Sequence, residues 1–345
     1  MAVLSPILEV HTRNGFPAKT TWESVVAPVR PFLADVSERL AGQADAFEPE
    51  IAEYARYALA NQGKQLRPTL VALAGGTIGP AGDELVKIAV VIEMIHLATL
   101  VHDDIMDAAT MRRSQPTLSA RWGNQVSVLL GDCLFAHALK LASDFSTTDI
   151  SRSIARSTGT VCTGEILQTH RRRRWTLGRA EYFKVLEMKT AELFGLACEL
   201  GARLAGGTVA EQEALRRHGL ALGTAYQVYD DCLDLYGSEE TAGKSLGTDL
   251  ATGKVTLPLL VFFERAGASE RQEVLSWLDQ WDPERFGDVR ERLERHGALA
   301  ESAAAIDSLL ADARAALVGI PPGPATRSLN GLADFLSEQT AALGG

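Results

Sequence analysis

Two short aspartate-rich segments constrain this chain more than any other feature of its sequence. One reads Asp-Asp-Ile-Met-Asp from Asp103 to Asp107, and the other reads Asp-Asp-Cys-Leu-Asp from Asp230 to Asp234. Each follows an apolar stretch with helical spacing, and residues four apart lie on one face of a helix. Carboxylates this close together repel one another unless a cation lies between them, and hard cations with oxygen ligands are the obvious candidates. These first and second aspartate motifs therefore predict a metal site.

The spacing of apolar residues indicates helices along most of the chain, and no segment shows a convincing alternation of period two. Predicted helices over residues 83–107 and 211–235 end in the two motifs, and another spans 181–205. We predict an all-α fold, a single large helical bundle over residues 21–345 with a central cavity between facing helices. Residues 1–20 are expected to form an irregular arm.

Composition excludes several classes of protein. The net charge of -10 argues against nucleic acid as a partner. The four cysteines form no Cys-x-x-Cys pair, which is typical of free thiols in a reducing cytoplasm. The amino terminus lacks the basic and apolar blocks of a signal peptide. The longest apolar stretch, residues 85–101, is interrupted by Lys87, Glu93 and His96 and is shorter than a membrane span of about 20 residues. We therefore expect a cytoplasmic protein without a transmembrane segment.

Four cations stand in predicted loops or at helix ends, where phosphate sites are common: Lys64, Arg67, Arg112 and Arg113. Arginine offers a bidentate fork to phosphate oxygens, and lysine offers a point charge. Each cation alone is consistent with a solvated surface charge. Magnesium, however, binds through a few carboxylates together with substrate phosphates. The cations and aspartates taken together predict a Mg²⁺-dependent site for two polyphosphate groups.

Over roughly residues 50–265 the sequence resembles the polyprenyl synthetase family, the trans-isoprenyl diphosphate synthases. The resemblance rests on ordered motifs, namely Gly63 to Pro68, His96, the first aspartate motif, Arg112-Arg113, Gly164-Glu165 with Gln168, Lys189-Thr190, Tyr226-Gln227, the second aspartate motif, Gly243-Lys244, Asp249 and Gly253-Lys254. It implies the fold of the isoprenoid synthases and a prenyltransferase that condenses an allylic diphosphate with isopentenyl diphosphate head-to-tail. It also implies chain elongation after ionisation, three Mg²⁺ ions per site and a homodimer.

The resemblance assigns a role to each motif. It implies that the metal ligands are Asp103, Asp107 and Asp230. The other aspartates expected to act in catalysis, nearby or through water, are Asp104, Asp231 and Asp234. The cations expected to bind the allylic diphosphate are Arg112, Lys189 and Lys254, and Lys244 is expected to bind substrate as well. The residues expected to bind isopentenyl diphosphate are Gly63, Lys64, Arg67, His96 and Arg113. Lys189 is expected to be catalytic as well, and Thr190 and Gln227 are expected to direct oxygen dipoles at the carbocation.

The chain departs from the family pattern in its first basic loop. Gln62 stands where a second glycine is usual and Gln65 where a second arginine is usual, so one cation near isopentenyl diphosphate is missing. Ser114 replaces a common glycine after the arginine pair. A run of four arginines, residues 171–174, is longer than the pattern requires, and we interpret it as a solvated helix start.

The residues one helical turn before the first motif predict the length of the product. In short-chain members of the family one or both of these positions are aromatic and block the tunnel, whereas here they are Ala98 and Thr99. We therefore expect an all-trans product longer than twenty carbons. Met94, Ile95 or Phe135 could instead form the floor of the tunnel.

Other functions stay open at this point. A farnesyl or geranylgeranyl diphosphate synthase of the same family would share every motif. A class I terpene cyclase uses a similar aspartate motif but has no need of the cations assigned to isopentenyl diphosphate. A non-catalytic subunit of a heteromeric synthase would have lost aspartates that are present here. A structural bundle with acidic faces would leave the ordered motifs unexplained.

Overall fold

The computed structural model of the chain describes residues 20–60, 62–238 and 246–344, and helices dominate all three segments. The helices are α1 (Trp22–Val26), α2 (Arg30–Gly42), α3 (Pro49–Ala60), α4 (Leu66–Ile78), α5 (Asp83–Met106), α6 (Leu118–Ser143), α7 (Thr148–His170), α8 (Arg179–Leu186), α9 (Glu192–Leu204), α10 (Val209–Tyr236), α11 (Thr248–Thr252), α12 (Leu257–Arg265), α13 (Ala268–Asp279), α14 (Phe286–Arg295), α15 (Ala298–Ala316) and α16 (Pro324–Ala341). The all-α prediction is confirmed. Of the predicted arm, residues 1–19 lie outside the described residues.

Helix α5 lies at the centre of the bundle and carries the first aspartate motif at its carboxyl end. Most of its side chains between Leu85 and Val101 are buried, because apolar residues occur on every face of the helix. Helices α4, α6 and α9 pack against it, together with α2 and α3. The predicted helix over 83–107 is thus confirmed, with Asp107 as its capping residue. Burial on all sides fixes the axis of α5 and so the position of the motif.

Two glycines allow α10, which carries the second motif, to approach the centre through α9. A Cβ atom on Gly219 of α10 would lie 2.5 Å from the carbonyl oxygen of Phe194 in α9. A Cβ atom on Gly201 of α9 would lie 2.5 Å from the carbonyl oxygen of Val71 in α4. Because any larger residue would push these backbones apart, α4, α9 and α10 pack as a tight layer beside α5.

The predicted helix over 181–205 is interrupted in the structure. Helices α8 and α9 are joined by one π-helical turn, Glu187–Ala191, which contains Lys189 and Thr190. Single π turns within helices often occur at functional sites because they change the direction of the side chains they carry. A Cβ atom on Gly164 of α7 would lie 2.7 Å from the backbone nitrogen of Lys189, so α7 presses directly against this turn.

A small hairpin after α5 is the one element that the period-two analysis missed in the described part of the chain. Strands β1 (Met111–Arg112) and β2 (Gln115–Pro116) pair antiparallel, and two residues per strand are too few to show an alternation. Arg113 and Ser114 have φ angles of +50° and +61°, as in the type I′ turns that suit hairpins. Ser114 therefore adopts the conformation that a glycine would favour.

Helices α5 and α6 are both long and apolar enough to cross a membrane by length and composition. In α5, 72% of the apolar window is buried inside the protein, whereas in α6 the value is only 33%. The apolar character of α5 is therefore that of a core helix. The expected absence of a transmembrane segment stays a prediction for α6, whose outer face is open.

Candidate active site

Three cations contact the first aspartate motif. The Nε and NH2 atoms of Arg112 each lie 2.7 Å from Oδ1 of Asp104, so this buried carboxylate receives both arms of the hairpin arginine. Arg172 donates from NH2 to Oδ1 of Asp107 at 2.6 Å. Lys189 lies 3.9 Å from Asp103 and also forms an ion pair with Glu165 of α7. The motif is therefore neutralised by side chains from three separate segments.

Asp103 is the most perturbed carboxylate of this motif. Burial raises its pKa to about 6, and the neighbouring carboxylates of Glu165 and Asp107 raise it further while Lys189 opposes them. The Lys189 ammonium is held in place by the Gln168 amide oxygen at 2.8 Å. This is the crowded arrangement that a divalent cation relieves, since a metal replaces the repulsion among carboxylates by shared coordination.

The second aspartate motif is more deeply buried. Asp231 is fully buried and accepts hydrogen bonds from the Tyr182 hydroxyl at 2.7 Å and from Nε2 of Gln227 at 3.0 Å. Nζ of Lys254 lies 3.3 Å from Asp231 and 3.2 Å from Asp249. Burial raises the pKa of Asp231 to about 6, although Lys254 opposes this shift.

Asp234 fixes the backbone that follows the motif. Its carboxylate accepts from the Thr248 hydroxyl at 2.7 Å and from the Asp249 backbone N–H at 3.0 Å. The Gly247 N–H donates to the backbone carbonyl of Asp234 at 2.9 Å. These bonds place α11, and after it Lys254, against α10. Asp230 is the motif residue whose carboxylate makes the fewest described contacts, a weak 3.3 Å bond from Gln227.

The π turn connects the two motifs. Lys189 faces Asp103, while the hydroxyl of the next residue, Thr190, donates to Oε1 of Gln227 at 2.8 Å. Gln227 in turn donates to Asp230 and Asp231. The predicted residues of both motifs are therefore brought together around one turn of backbone.

The basic loop and the hairpin meet at Gly63. This residue has a φ of +58°, and a Cβ atom on it would lie 2.3 Å from the guanidinium carbon of Arg113. Glycine is required there both for the backbone conformation and for the close approach of Arg113. The tight hairpin turn thus sends two adjacent arginines to different places, Arg112 to the aspartates and Arg113 to the basic loop.

Arg67 and His96 lie on the same side as Arg113, and a carboxylate that the motifs did not include faces them. Glu93, on α5, is almost fully buried, its Oε2 atom has no partner among the described residues, and burial raises its pKa to about 7 while Arg67 and Arg113 oppose the shift. Burial, reinforced by the arginines Arg67, Arg113 and Arg112, holds the pKa of His96 well below its usual value. His96 is therefore neutral at physiological pH.

Lys64 lies apart from this group. Its Nζ atom is 5.7 Å from the centre of the Phe335 ring on α16, a cation–π contact. Nearby, Gln65 donates from Nε2 to Ser37 of α2 and to Gln62, both at 2.8 Å. The two glutamines that depart from the family pattern thus bind each other and α2. They fix the basic loop, but they do not supply the second cation that is usual there.

The residues predicted to set chain length lie on the buried part of α5. Ala98 is fully buried, and the hydroxyl of Thr99 donates to the His96 carbonyl at 2.7 Å, so that its polar group is satisfied within α5. Met94 and Ile95, one turn earlier, are also fully buried, and Phe135 of α6 is partly buried against the core.

The interpretation of residues 171–174 as a solvated helix start is wrong, because no helix starts there and the Arg171 side chain, only 15% exposed, donates to the Glu181 carbonyl. The segment follows α7 rather than starting a helix, and Arg172 binds Asp107. The backbone N–H of Arg173 donates to the Gly253 carbonyl at 2.7 Å, and its NH1 donates to the Asp279 carbonyl at 2.9 Å. Arg172 is therefore part of the candidate site and Arg173 part of its frame, whereas Arg174 pairs with Glu181 at the surface.

The donor chemistry of the motifs fits a magnesium ion. Within the described residues, no group of three or more His, Cys, Asp or Glu side chains converges on a single point. Magnesium ordinarily takes only one or two carboxylates and completes its shell with waters and substrate phosphates. Asp103 with Asp107 on α5 and Asp230 on α10 supply such partial sets. Lys244, predicted to bind substrate, lies outside the described residues.

Three residues of the site carry no signal that a motif search could use. In the sequence, Glu93 is a charged residue that interrupts an apolar stretch. It precedes His96 by three residues, so both lie on one side of α5. Tyr182 is separated from Asp231 by 49 positions, and Arg172 from Asp107 by 65. Only the packing of α7, α8 and α10 shows these contacts.

The chain is similar to known proteins over most of its length. Residues 48–295 match the family model described as polyprenyl synthetase. An octaprenyl diphosphate synthase of Haemophilus influenzae is 34% identical over 72% of this chain and 76% of its own length. A short chain isoprenyl diphosphate synthase of Methanothermobacter thermautotrophicus is 32% identical over 80% of this chain and 86% of its own. Further relatives are named octa-, hepta- or nonaprenyl diphosphate synthases.

Solved structures agree with the sequence relatives. A polyprenyl synthase from Caulobacter crescentus, crystallised with calcium and isoprenyl diphosphate, superposes with a TM-score of 0.88 at 35% identity, covering 93% of this chain and 99% of that one. The residues that match the family model, 48–295, include both aspartate motifs and the two basic segments. The chain belongs to the polyprenyl synthetase family, whose members are prenyltransferases.

Proposed function

We propose that this prenyltransferase extends an allylic diphosphate with isopentenyl diphosphate, head-to-tail, to an all-trans product of more than twenty carbons. One observation carries the proposal. A single π turn places Lys189 beside Asp103 and Thr190 beside Gln227, which donates to Asp230 and Asp231, so that both aspartate motifs are linked at this point of the backbone. Such a point suits a diphosphate that leaves from an allylic carbon, because charges of both signs are in place before reaction.

The leaving diphosphate is stabilised by groups that this chain already positions. Arg112, Lys189 and Lys254 each lie within 4 Å of a motif aspartate, and each can donate to diphosphate oxygens. Bound Mg²⁺ supplies Lewis-acid stabilisation of the same negative charge. We assign metal binding to Asp103, Asp107 and Asp230, with three ions per site. Asp104, Asp231 and Asp234 orient the cations and the backbone around them.

The second substrate is held on the other side of α5. Arg67, Arg113 and the neutral His96 offer donors for the diphosphate of isopentenyl diphosphate, and Gly63 lets Arg113 approach the loop. Lys64 would leave Phe335 to complete this set. Carbon–carbon bond formation requires the double bond of this substrate to lie against the allylic cation, where the Thr190 and Gln227 oxygens face it. The proton released afterwards passes to the departed diphosphate.

The length of the product is proposed from the small residues below the first motif. Ala98 and Thr99 are small residues at the positions on α5 where an aromatic residue would be expected to block the tunnel. The names of most relatives described above support long products, whereas one relative is named for a short chain. The proposed product length therefore depends on Ala98 and Thr99 of this chain.

The test is to supply farnesyl diphosphate with excess isopentenyl diphosphate and Mg²⁺ and to determine the product masses. We expect products of more than twenty carbons, and a product that stops at fifteen or twenty would refute the proposed length. Ala98→Phe should shorten whatever is formed, while Thr99→Ser, which keeps the small size, should not. A chain that releases hydrocarbon from the allylic diphosphate alone would instead be a cyclase.

We also propose a homodimer. The outer face of α6 exposes Val128, Leu129 and Leu139, with Leu129 at 64% exposure, and the neighbouring α7 exposes Ile166 at 68%. A second copy of the chain would cover these apolar side chains, so the exposed apolar surface of α6 does not require a membrane. Light scattering should give twice the mass of the chain, and the double substitution Leu129→Glu with Ile166→Glu should halve it. A cytoplasmic location, testable by fractionation, completes the proposal.

A further inference from the structure

Arg172 contacts one of the carboxylates to which we assign metal binding. Its NH2 atom lies 2.6 Å from Oδ1 of Asp107, and its NH1 atom lies 3.5 Å from the carbonyl oxygen of Met106 at the end of α5. The side chain is only 22% exposed, and its Nε atom is buried without a partner among the described residues. The guanidinium therefore neutralises Asp107, and its Nε–H group is still available to donate a further hydrogen bond.

The neighbouring residue anchors this arginine firmly. Arg173 has a φ of +60°, donates its backbone N–H to Gly253 and lies so close that a Cβ atom on Gly253 would be 2.5 Å from its Cγ atom. Gly253 immediately precedes Lys254, the cation of the second motif. The segment from α7 to α8 is thus fixed beside the second motif while Arg172 extends to the first.

A guanidinium and a metal ion compete for the Asp107 carboxylate. As long as Arg172 holds Oδ1, a cation must displace it, and the displaced arginine loses its ion pair. A diphosphate changes this balance, because its oxygens offer the guanidinium a new bidentate partner. The same diphosphate also completes the metal shell, so metal and diphosphate each favour the binding of the other.

We propose that Arg172 is a positioning residue that makes metal binding depend on the diphosphate, by holding Asp107 until diphosphate oxygens take over its guanidinium. The inference rests on the proposed function. It adds to the predicted site a residue from outside the recognised motifs. The arginine prevents the first motif from trapping metal in an unproductive state without substrate.

The experiment measures Mn²⁺ binding to the full chain by electron paramagnetic resonance, with and without inorganic pyrophosphate. Removing the competing ion pair with Arg172→Gln should tighten Mn²⁺ binding about two- to fivefold in the absence of pyrophosphate. The stimulation of Mn²⁺ binding by pyrophosphate should shrink by at least the same factor. Arg172→Lys, which keeps the positive charge but loses the bidentate fork of the guanidinium, should lie between the two.

Arg174→Gln is the matched control, because Arg174 belongs to the same segment but pairs with Glu181 on the outer surface. It should leave both Mn²⁺ affinities unchanged. Equal or weaker Mn²⁺ binding by Arg172→Gln, with wild-type binding intact, would overturn this inference alone. A wild-type chain that binds no Mn²⁺ even with pyrophosphate would overturn the proposed function and the inference together. Thermal unfolding of each variant verifies that it is folded.

Discussion

The first and second aspartate motifs have the same spacing but are held by different chemistry. In the first, Asp107 is 42% exposed, and the partners are long cationic side chains, Arg112, Arg172 and Lys189. In the second, Asp231 and Asp234 are fully buried and accept from a phenol, an amide, a hydroxyl and a backbone N–H. Among the described residues, Lys254 is a cation that contacts the second motif, through Asp231.

The difference indicates a division of labour between the motifs. An exposed carboxylate with a cationic partner, as Asp107 is in the first motif, can exchange that partner for metal and substrate at small cost. Buried carboxylates with several fixed donors cannot, since moving them would strand polar groups in the core. We therefore regard the first motif as the adjustable side of the site and the second as its fixed side, with Asp230 as the residue that faces the ligand.

The largest expected effect is a loss of activity when one aspartate of either motif is replaced. Asp103→Asn and Asp230→Asn should each lower kcat at least about a hundredfold, because each removes a charge that stabilises the leaving group through the metal. Steady-state assays with farnesyl diphosphate and isopentenyl diphosphate measure this. Asp35→Asn, on the surface of α2, is the control. A loss below tenfold at either position would place that motif outside the metal site.

The second prediction concerns a buried carboxylate with few partners. The raised pKa of Glu93, about 7, means that the folded state binds its proton more tightly than the unfolded state does. Stability from this source is complete below about pH 4.5 and is lost as pH rises through about 7, a change of up to about 3 kcal/mol. Relative to Glu93→Gln, the wild type should therefore lose stability between these values.

Urea unfolding of both proteins at several pH values between 4.5 and 8 measures the difference. The charged neighbours of Glu93 are Arg67 and Arg113, which do not titrate in this range. A constant difference in unfolding free energy would mean that Glu93 is ionised throughout, paired with these arginines.

A third prediction separates the fixed side from the adjustable side directly. Asp234→Ala should destabilise the fold by about 2 kcal/mol, because Thr248 and the Asp249 N–H lose a buried acceptor. Asp107→Ala removes only a partly exposed ion pair and should cost less than about 1 kcal/mol. Chemical denaturation measures both. Equal losses would remove the distinction between the motifs.

The smallest expected effect comes from Tyr182→Phe. It deletes the hydroxyl that donates to Asp231 at 2.7 Å but leaves Gln227 and Lys254 in place. We expect a loss of about 1 kcal/mol in the free energy of unfolding and a modest decrease in kcat. Tyr57→Phe, which deletes a hydrogen bond to the Pro116 carbonyl, is a matched control that should leave kcat nearly unchanged. If Tyr182→Phe lowered kcat more than Asp231→Asn does, Tyr182 would not act by positioning Asp231.

Much of the fold was predictable because it depends on local patterns. Helical spacing of apolar residues predicted the bundle and the long helices that end in the two aspartate motifs. The interruption at Glu187–Ala191 was not predictable, because a π turn leaves the apolar spacing of its flanks intact. The hairpin at Arg112 was missed for the opposite reason, since its strands are too short to carry a pattern.

The sequence alone determined the residue types of the site: six aspartates in two motifs, the paired arginines, and Lys189 with Thr190. These are fixed by spacing along helices, which is a local property. Only the tertiary structure decided which carboxylates can exchange their partners and which are held fixed. It also decided that Arg172 and Glu93 belong to the site. Burial and hydrogen-bond partners come from helices far apart in the chain, so the packing of α5, α7 and α10 sets them and no single segment encodes them.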